Sequence, residues 1–100
     1  MIFEIEKMTS IQERCTGEEK KEIDQVIETL SVDFEAVLSD SRNYILTGEK
    51  KERNLSESIF AIKKMKRIGE KYGIEFPEVE TNEQAAVYVL NFGRQIVMNR

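Results

Sequence analysis

The sequence predicts an all-α protein: a three- or four-helix bundle, mostly antiparallel, with one long helix spanning about residues 17–47. Three observations point there. Apolar residues recur at helical spacing through most of the chain, capping signals open several of these runs, and Pro77, the only proline, stands between two of them. One hundred residues are read as a single domain, 1–100, able to bury roughly two-thirds of its unfolded surface.

The first run places Met1, Ile5, Met8, Ile11 and Cys15 near one helical face and is read as a first helix. The second is the most regular. Ile23, Val26, Ile27, Leu30, Phe34, Val37, Leu38, Tyr44 and Ile45 fall within a sector of roughly 120°, interrupted only by Ser41. Thr16-Gly-Glu-Glu19 fits a capping box before it, and Gly48 suits its C-cap. A helix over these residues would be roughly 45 Å long at 1.5 Å per residue, whereas a compact domain of this size is roughly 34 Å across. Either the helix breaks near Ser39–Asn43 or its end projects and is covered by a second copy. No glycine or proline interrupts residues 18–47, which favours projection.

The third run opens on Asn54-Leu-Ser-Glu57 as a further capping box and closes on Gly73. Leu55, Ile59, Ile62, Met65 and Tyr72 share its apolar face, with Ala61 and Ile68 at the margin. Gly69 lies within that face, where it would admit a neighbouring helix. Ile74 should pack back on Ile68 after the cap, and Lys66, at the edge of the stripe, should reach toward water. The fourth run, from Ala85 to Val97, follows the box Thr81-Asn-Glu-Gln84. It is apolar nearly all round, which reads as a largely buried helix.

Charge is segregated along the chain. Residues 1–49 carry a net charge of −7, residues 50–71 a net of +5, and residues 72–100 a net of −2. Such a switch holds two parts of one protein together or marks a surface for an anionic partner. In the third helix Lys63, Lys64, Arg67 and Lys71 span one side with Phe60 among them. Two readings of that side stand. Phe60 packs on a second neighbour or under a cation from Lys64 or Arg67, while the lysine stems cover apolar surface. Alternatively the cations neutralise phosphates and the ring stacks on a base, although a pI near 5.0 is far from that of most nucleic-acid binders. Part of the basic surplus should face the acidic second helix.

Several chemistries are excluded or unsupported. With no histidine, the commonest general base and the commonest nitrogen metal ligand are missing, and zinc sites of the Cys/His type cannot form within one chain. Cys15 is the only cysteine, so it has no internal disulfide partner, in keeping with a reducing compartment; it reads as a small half-buried residue at a helix end. All-α magnesium hydrolases pair Glu-x-x-Glu with Glu-x-x-Asp on the next helix. Glu19 and Glu22 supply the first half, and no Glu-x-x-Asp follows. No catalytic residue, metal or cofactor is therefore expected. The opening residues alternate acidic and apolar groups, unlike a signal peptide, and no run is long enough to span a membrane. A cytoplasmic location and no membrane partner are expected.

Arg53 and Asn54 at the start of the third helix, Arg67 near its end, Tyr72-Gly73 at its close and the terminal Asn99-Arg100 carry a resemblance. In these features, over roughly half its length, the chain resembles a family of short helical proteins of low-GC Gram-positive bacteria and their phages, a domain of unknown function. The resemblance implies an all-α fold and brings no activity with it. The functional expectation is a small non-catalytic protein acting through macromolecular interaction, self-associating as a homodimer and open to a protein partner. The alternative is a nucleic-acid-binding regulator using the basic face of the 54–72 helix.

Overall fold

A computed structural model describes residues 4–98 as four helices: α1 (Glu4–Arg14), α2 (Glu18–Thr47), α3 (Ser56–Lys71) and α4 (Asn82–Met98). Met1 and the closing Asn99-Arg100 lie outside the described residues. The expected all-α bundle is what forms, and no strand occurs among the described residues. α2 runs unbroken from Glu18 to Thr47 and sets the long axis of a 46 × 28 × 23 Å molecule.

The core follows the apolar stripes. Met8 and Ile11 from α1, Ile23, Val26, Leu30 and Val37 from α2, Ile62, Met65 and Ile68 from α3, and Ala85, Val89 and Phe92 from α4 meet in one cluster. Cys15 is buried in the same cluster, with its thiol 3.8 Å from the Gln12 carbonyl. The 72–81 connection is more than a linker, because Phe76 and Val79 are buried in the core.

Polar contacts fix the helix directions. Glu19 at the start of α2 meets Lys71 and Tyr72 at the end of α3, while Asp40 near the end of α2 meets Arg53 just before α3. These two helices are therefore antiparallel. α1 is antiparallel to its neighbours as well: the Glu4 N–H donates to Gln95 Oε1 at 2.8 Å, and Gln12 Nε2 reaches Asp24 Oδ1 at 2.6 Å. The Leu55 N–H donates to Asn82 Oδ1 at 2.9 Å, which sets the starts of α3 and α4 side by side.

The expected caps divide. At Thr81 the box forms: the Gln84 N–H donates to Thr81 Oγ1 at 3.1 Å, and Gln84 Oε1 accepts from the Thr81 N–H at 3.3 Å. Gly73, at φ 72°, completes a paired cap on α3, with the Ile74 N–H on the Gly69 carbonyl at 2.9 Å and the Gly73 N–H on that of Glu70 at 3.4 Å. Gly48 closes α2 with its N–H on the Tyr44 carbonyl. The Thr16 box does not form. Gly17 is the N-cap of α2 and no side chain caps it. The Glu19 carboxylate is drawn instead to Lys71 and the Tyr72 hydroxyl, and a charge-assisted bond outweighs one to a neutral amide. The Asn54 box is also displaced: Leu55 is the N-cap, and Asn54 Oδ1 accepts from the Ser56 N–H at 3.0 Å as a turn before the helix.

Two glycines are sites of close approach. A Cβ at Gly69 would lie 2.5 Å from the Ile74 carbonyl oxygen and 2.6 Å from the Phe76 ring. The close neighbour there is the returning 74–76 segment, where the sequence predicted a helix. Gly93 of α4 sits directly beneath the ring of Phe34 of α2. Burial of α4 is less complete than its composition predicts, since Val87 and Val97 face outward.

Candidate functional site

Two surfaces stand out among the described residues. The first is the end of α2. From Ser41 onward every residue of the helix is exposed, including the apolar Tyr44, Ile45 at 80% and Leu46 at 81%. Val37, Ser41, Tyr44 and Ile45 form one wall of a groove of about 960 Å³, and Ala86 and Leu90 of α4 face it. Leu46 does not line this groove; a helical rotation of about 100° per residue points it away, so the tip is apolar on both sides. The rim carries both signs of charge, with Lys50, Lys51 and Arg53 among the cations and Glu52, Glu83 and Asp40 among the anions.

The second surface is the basic side of α3. Phe60 is 62% exposed, so the expected packing on a second neighbour is absent. The other part of that expectation holds: the Lys64 ammonium stands 5.4 Å from the Phe60 ring centroid. Lys63 and Arg67 are exposed beside it. Lys71 does not belong to the same free cluster, because its ammonium lies 3.0 Å from Glu19. Lys66 reaches outward to Glu78 at 3.4 Å as a half-exposed pair, in keeping with its expected reach toward water. Arg14, next to Cys15 in sequence, stacks over Tyr72 at 5.2 Å.

Part of the basic surplus does face the acidic helix. Arg53 grips Asp40 with Nε at 2.7 Å and Nη2 at 3.0 Å, which holds the Asp40 carboxyl below its ordinary range and raises Arg53. The Tyr72 hydroxyl donates to Glu19 Oε1 at 2.7 Å and Lys71 to Oε2 at 3.0 Å; the two lower the Glu19 pKa, and Glu19 in turn raises that of Tyr72. With its oxygens so engaged, Glu19 is a structural carboxylate. Among the described residues no group of three or more His, Cys, Asp or Glu is placed to hold a metal ion.

A pH dependence follows. A carboxyl whose pKa is lowered by folding contributes stability above its unfolded value and loses it as the pH falls through the folded one. Stability from Glu19 and Asp40 is therefore present at neutral pH and lost below their ordinary values of 4.5 and 3.8. A Glu19→Gln/Asp40→Asn variant should lose less stability than wild type between about pH 5 and 3, read by urea unfolding. Equal acid slopes in the two proteins would show that neither pair contributes.

The structure thus defines an all-α bundle with an uncovered apolar tip and an exposed aromatic among cations. In comparisons with known proteins the chain matches no family model, no curated protein and no solved structure. No helix among the described residues is long and apolar enough to cross a membrane.

Proposed function

We propose that this is a cytoplasmic, non-catalytic interaction protein whose first partner is a second copy of itself, joined through the end of α2. The observation that carries the reading is the tip: a helix whose apolar stripe continues past the core, so that Ile45 stands 80% exposed along an apolar-walled groove, with Leu46, 81% exposed, on the adjoining side. A solitary exposed leucine needs no explanation, but a contiguous apolar end on a projecting helix does.

A second copy fits for two reasons. In a two-fold dimer the same patch meets itself, so its charges must be self-complementary, and the rim supplies Lys50 and Lys51 as well as Glu52 and Glu83. The energetics also need more than one tip. Burying Ile45 and Leu46 on both copies supplies about 6–12 kcal/mol at about 1.5–3 kcal/mol per side chain. Association costs about 4–15 kcal/mol, so the tips become sufficient only when each also fills the other's groove.

Sedimentation equilibrium tests this reading. Wild type should sediment at twice 11.7 kDa, and an Ile45→Glu/Leu46→Glu variant at 11.7 kDa with unchanged helicity. A monomeric wild type at every concentration would end the proposal.

A further inference from the structure

A shallow groove between α2 and α3 shares no lining residue with the groove at the tip. Buried Val26 and Ala61 lie against it, and Phe60 stands at its edge with the Lys64 ammonium beside the ring. Lys63 and Arg67, one helical turn apart, are exposed on the same helix. Among the described residues neither of them, nor Lys64, forms an ion pair, whereas Arg53, Lys66 and Lys71 all do. Within α3 itself, the cations left without anionic partners among the described residues are therefore the three around the exposed aromatic ring; Lys50 and Lys51, in the loop before it, are unpaired as well but line the other groove.

The charge decides what can cover this face. A second copy presenting the same face would set Lys63 and Arg67 against their own equivalents, and like-charge juxtaposition opposes such a contact. A nucleic-acid strand laid along the groove would find cations on one wall only. Glu57 lines the groove, and on α2 Glu22 and Asp33 share a helical face with Thr29, which also lines it. What fits is an occupant with an apolar edge and negative charge on a single flank. At about 320 Å³ the groove is at the small end of ligand pockets, room for an anchoring side chain more than for a cofactor.

We propose that the α2–α3 groove docks an acidic amphipathic helix of a protein partner, with one apolar side chain seated against Phe60 and carboxylates facing Lys63, Lys64 and Arg67. This is the helix-in-groove mode, in which apolar anchors at helical spacing provide affinity and flanking charges set orientation. Carboxylates one turn apart on the partner would match Lys63 and Arg67.

A displayed library of helical segments, selected on the full-length protein and counter-selected on a Phe60→Ala/Lys63→Glu/Arg67→Glu variant, tests this. All three positions are exposed, and unchanged helicity confirms that the variant is folded. The enriched segments should be acidic and amphipathic. Synthesised and titrated by calorimetry, they should bind at least tenfold more weakly to the triple variant and weaken as salt is raised. They should bind the Ile45→Glu/Leu46→Glu variant as they bind wild type, which keeps this result separate from the oligomeric state. Absence of enrichment, enrichment of basic or uncharged segments, or equal binding to the triple variant would overturn the proposal. So would a labelled single-stranded oligonucleotide that binds wild type and not the triple variant, since the occupant would then be nucleic acid.

Discussion

Phe92→Ala should destabilise the protein by about 3–5 kcal/mol, the largest effect expected of any single truncation here. Phe92 is the largest of the fully buried side chains and lies on the face of α4 turned into the common core. Its loss removes apolar burial and leaves a cavity that the packed helices can only partly close. A domain of this size has about 5–15 kcal/mol of stability in total, so the variant should be marginal at 37 °C. At roughly 4–8 °C per kcal/mol, thermal unfolding followed by circular dichroism should show a fall in Tm of more than about 10 °C. A fall of only a degree or two would mean that α4 is not held against the core as described.

Gly93→Ala is the second large effect, and its sign is a contest between two terms. Alanine is favoured over glycine inside a helix by about 1 kcal/mol. Against this, the new Cβ would overlap the Cγ, Cδ1 and Cε1 atoms of the Phe34 ring, and overpacking of that kind costs about 1–3 kcal/mol. The collision involves ring atoms close to the Phe34 backbone and not the end of a flexible chain, so the whole ring must swing out and give up its burial. Overpacking wins, and a net loss of up to about 2 kcal/mol is expected. The decisive measurement is the double-mutant cycle. In a Phe34→Ala background the obstruction is gone, and Gly93→Ala should become neutral or stabilising. If it remained as damaging there, the obstruction would lie elsewhere.

Periodicity reveals the helices because burying an apolar face is a collective property of many residues, and no single error can hide it. The stripe from Ile23 to Val37, the Thr81 box, and Gly48 and Gly73 at helix ends were all legible for that reason, or because a local hydrogen bond decides them. The projecting end was legible too, from the length of the stripe together with the absence of glycine and proline in residues 18–47. The misses share a cause. The Thr16 box fails in both halves: Gly17 and not Thr16 is the N-cap, and the Glu19 carboxylate is claimed by Tyr72, a residue 53 positions away. Gly69 is crowded by Phe76 of the returning loop, and Gly93 by Phe34 of another helix. In each case a tertiary neighbour outweighed a sound local signal. For the basic face the sequence grouped Lys71 with Lys63, Lys64 and Arg67. Only the fold shows that Glu19 neutralises Lys71 and that the ring among the remaining three is bare.

The Glu19 and Asp40 contacts have a consequence beyond their modest energies. They stand near opposite ends of the α2–α3 pair, and between them the buried Ser58 hydroxyl donates to Asp33. An apolar helix face is nearly degenerate: sliding α3 by one turn, about 5.4 Å, would set similar aliphatic side chains against one another again. The same slide would strand Ser58 without its acceptor and pull Arg53 and Lys71 out of reach of their carboxylates. Three polar contacts spaced along one seam thus act as a vernier, rejecting neighbouring alignments that oily contact alone would tolerate.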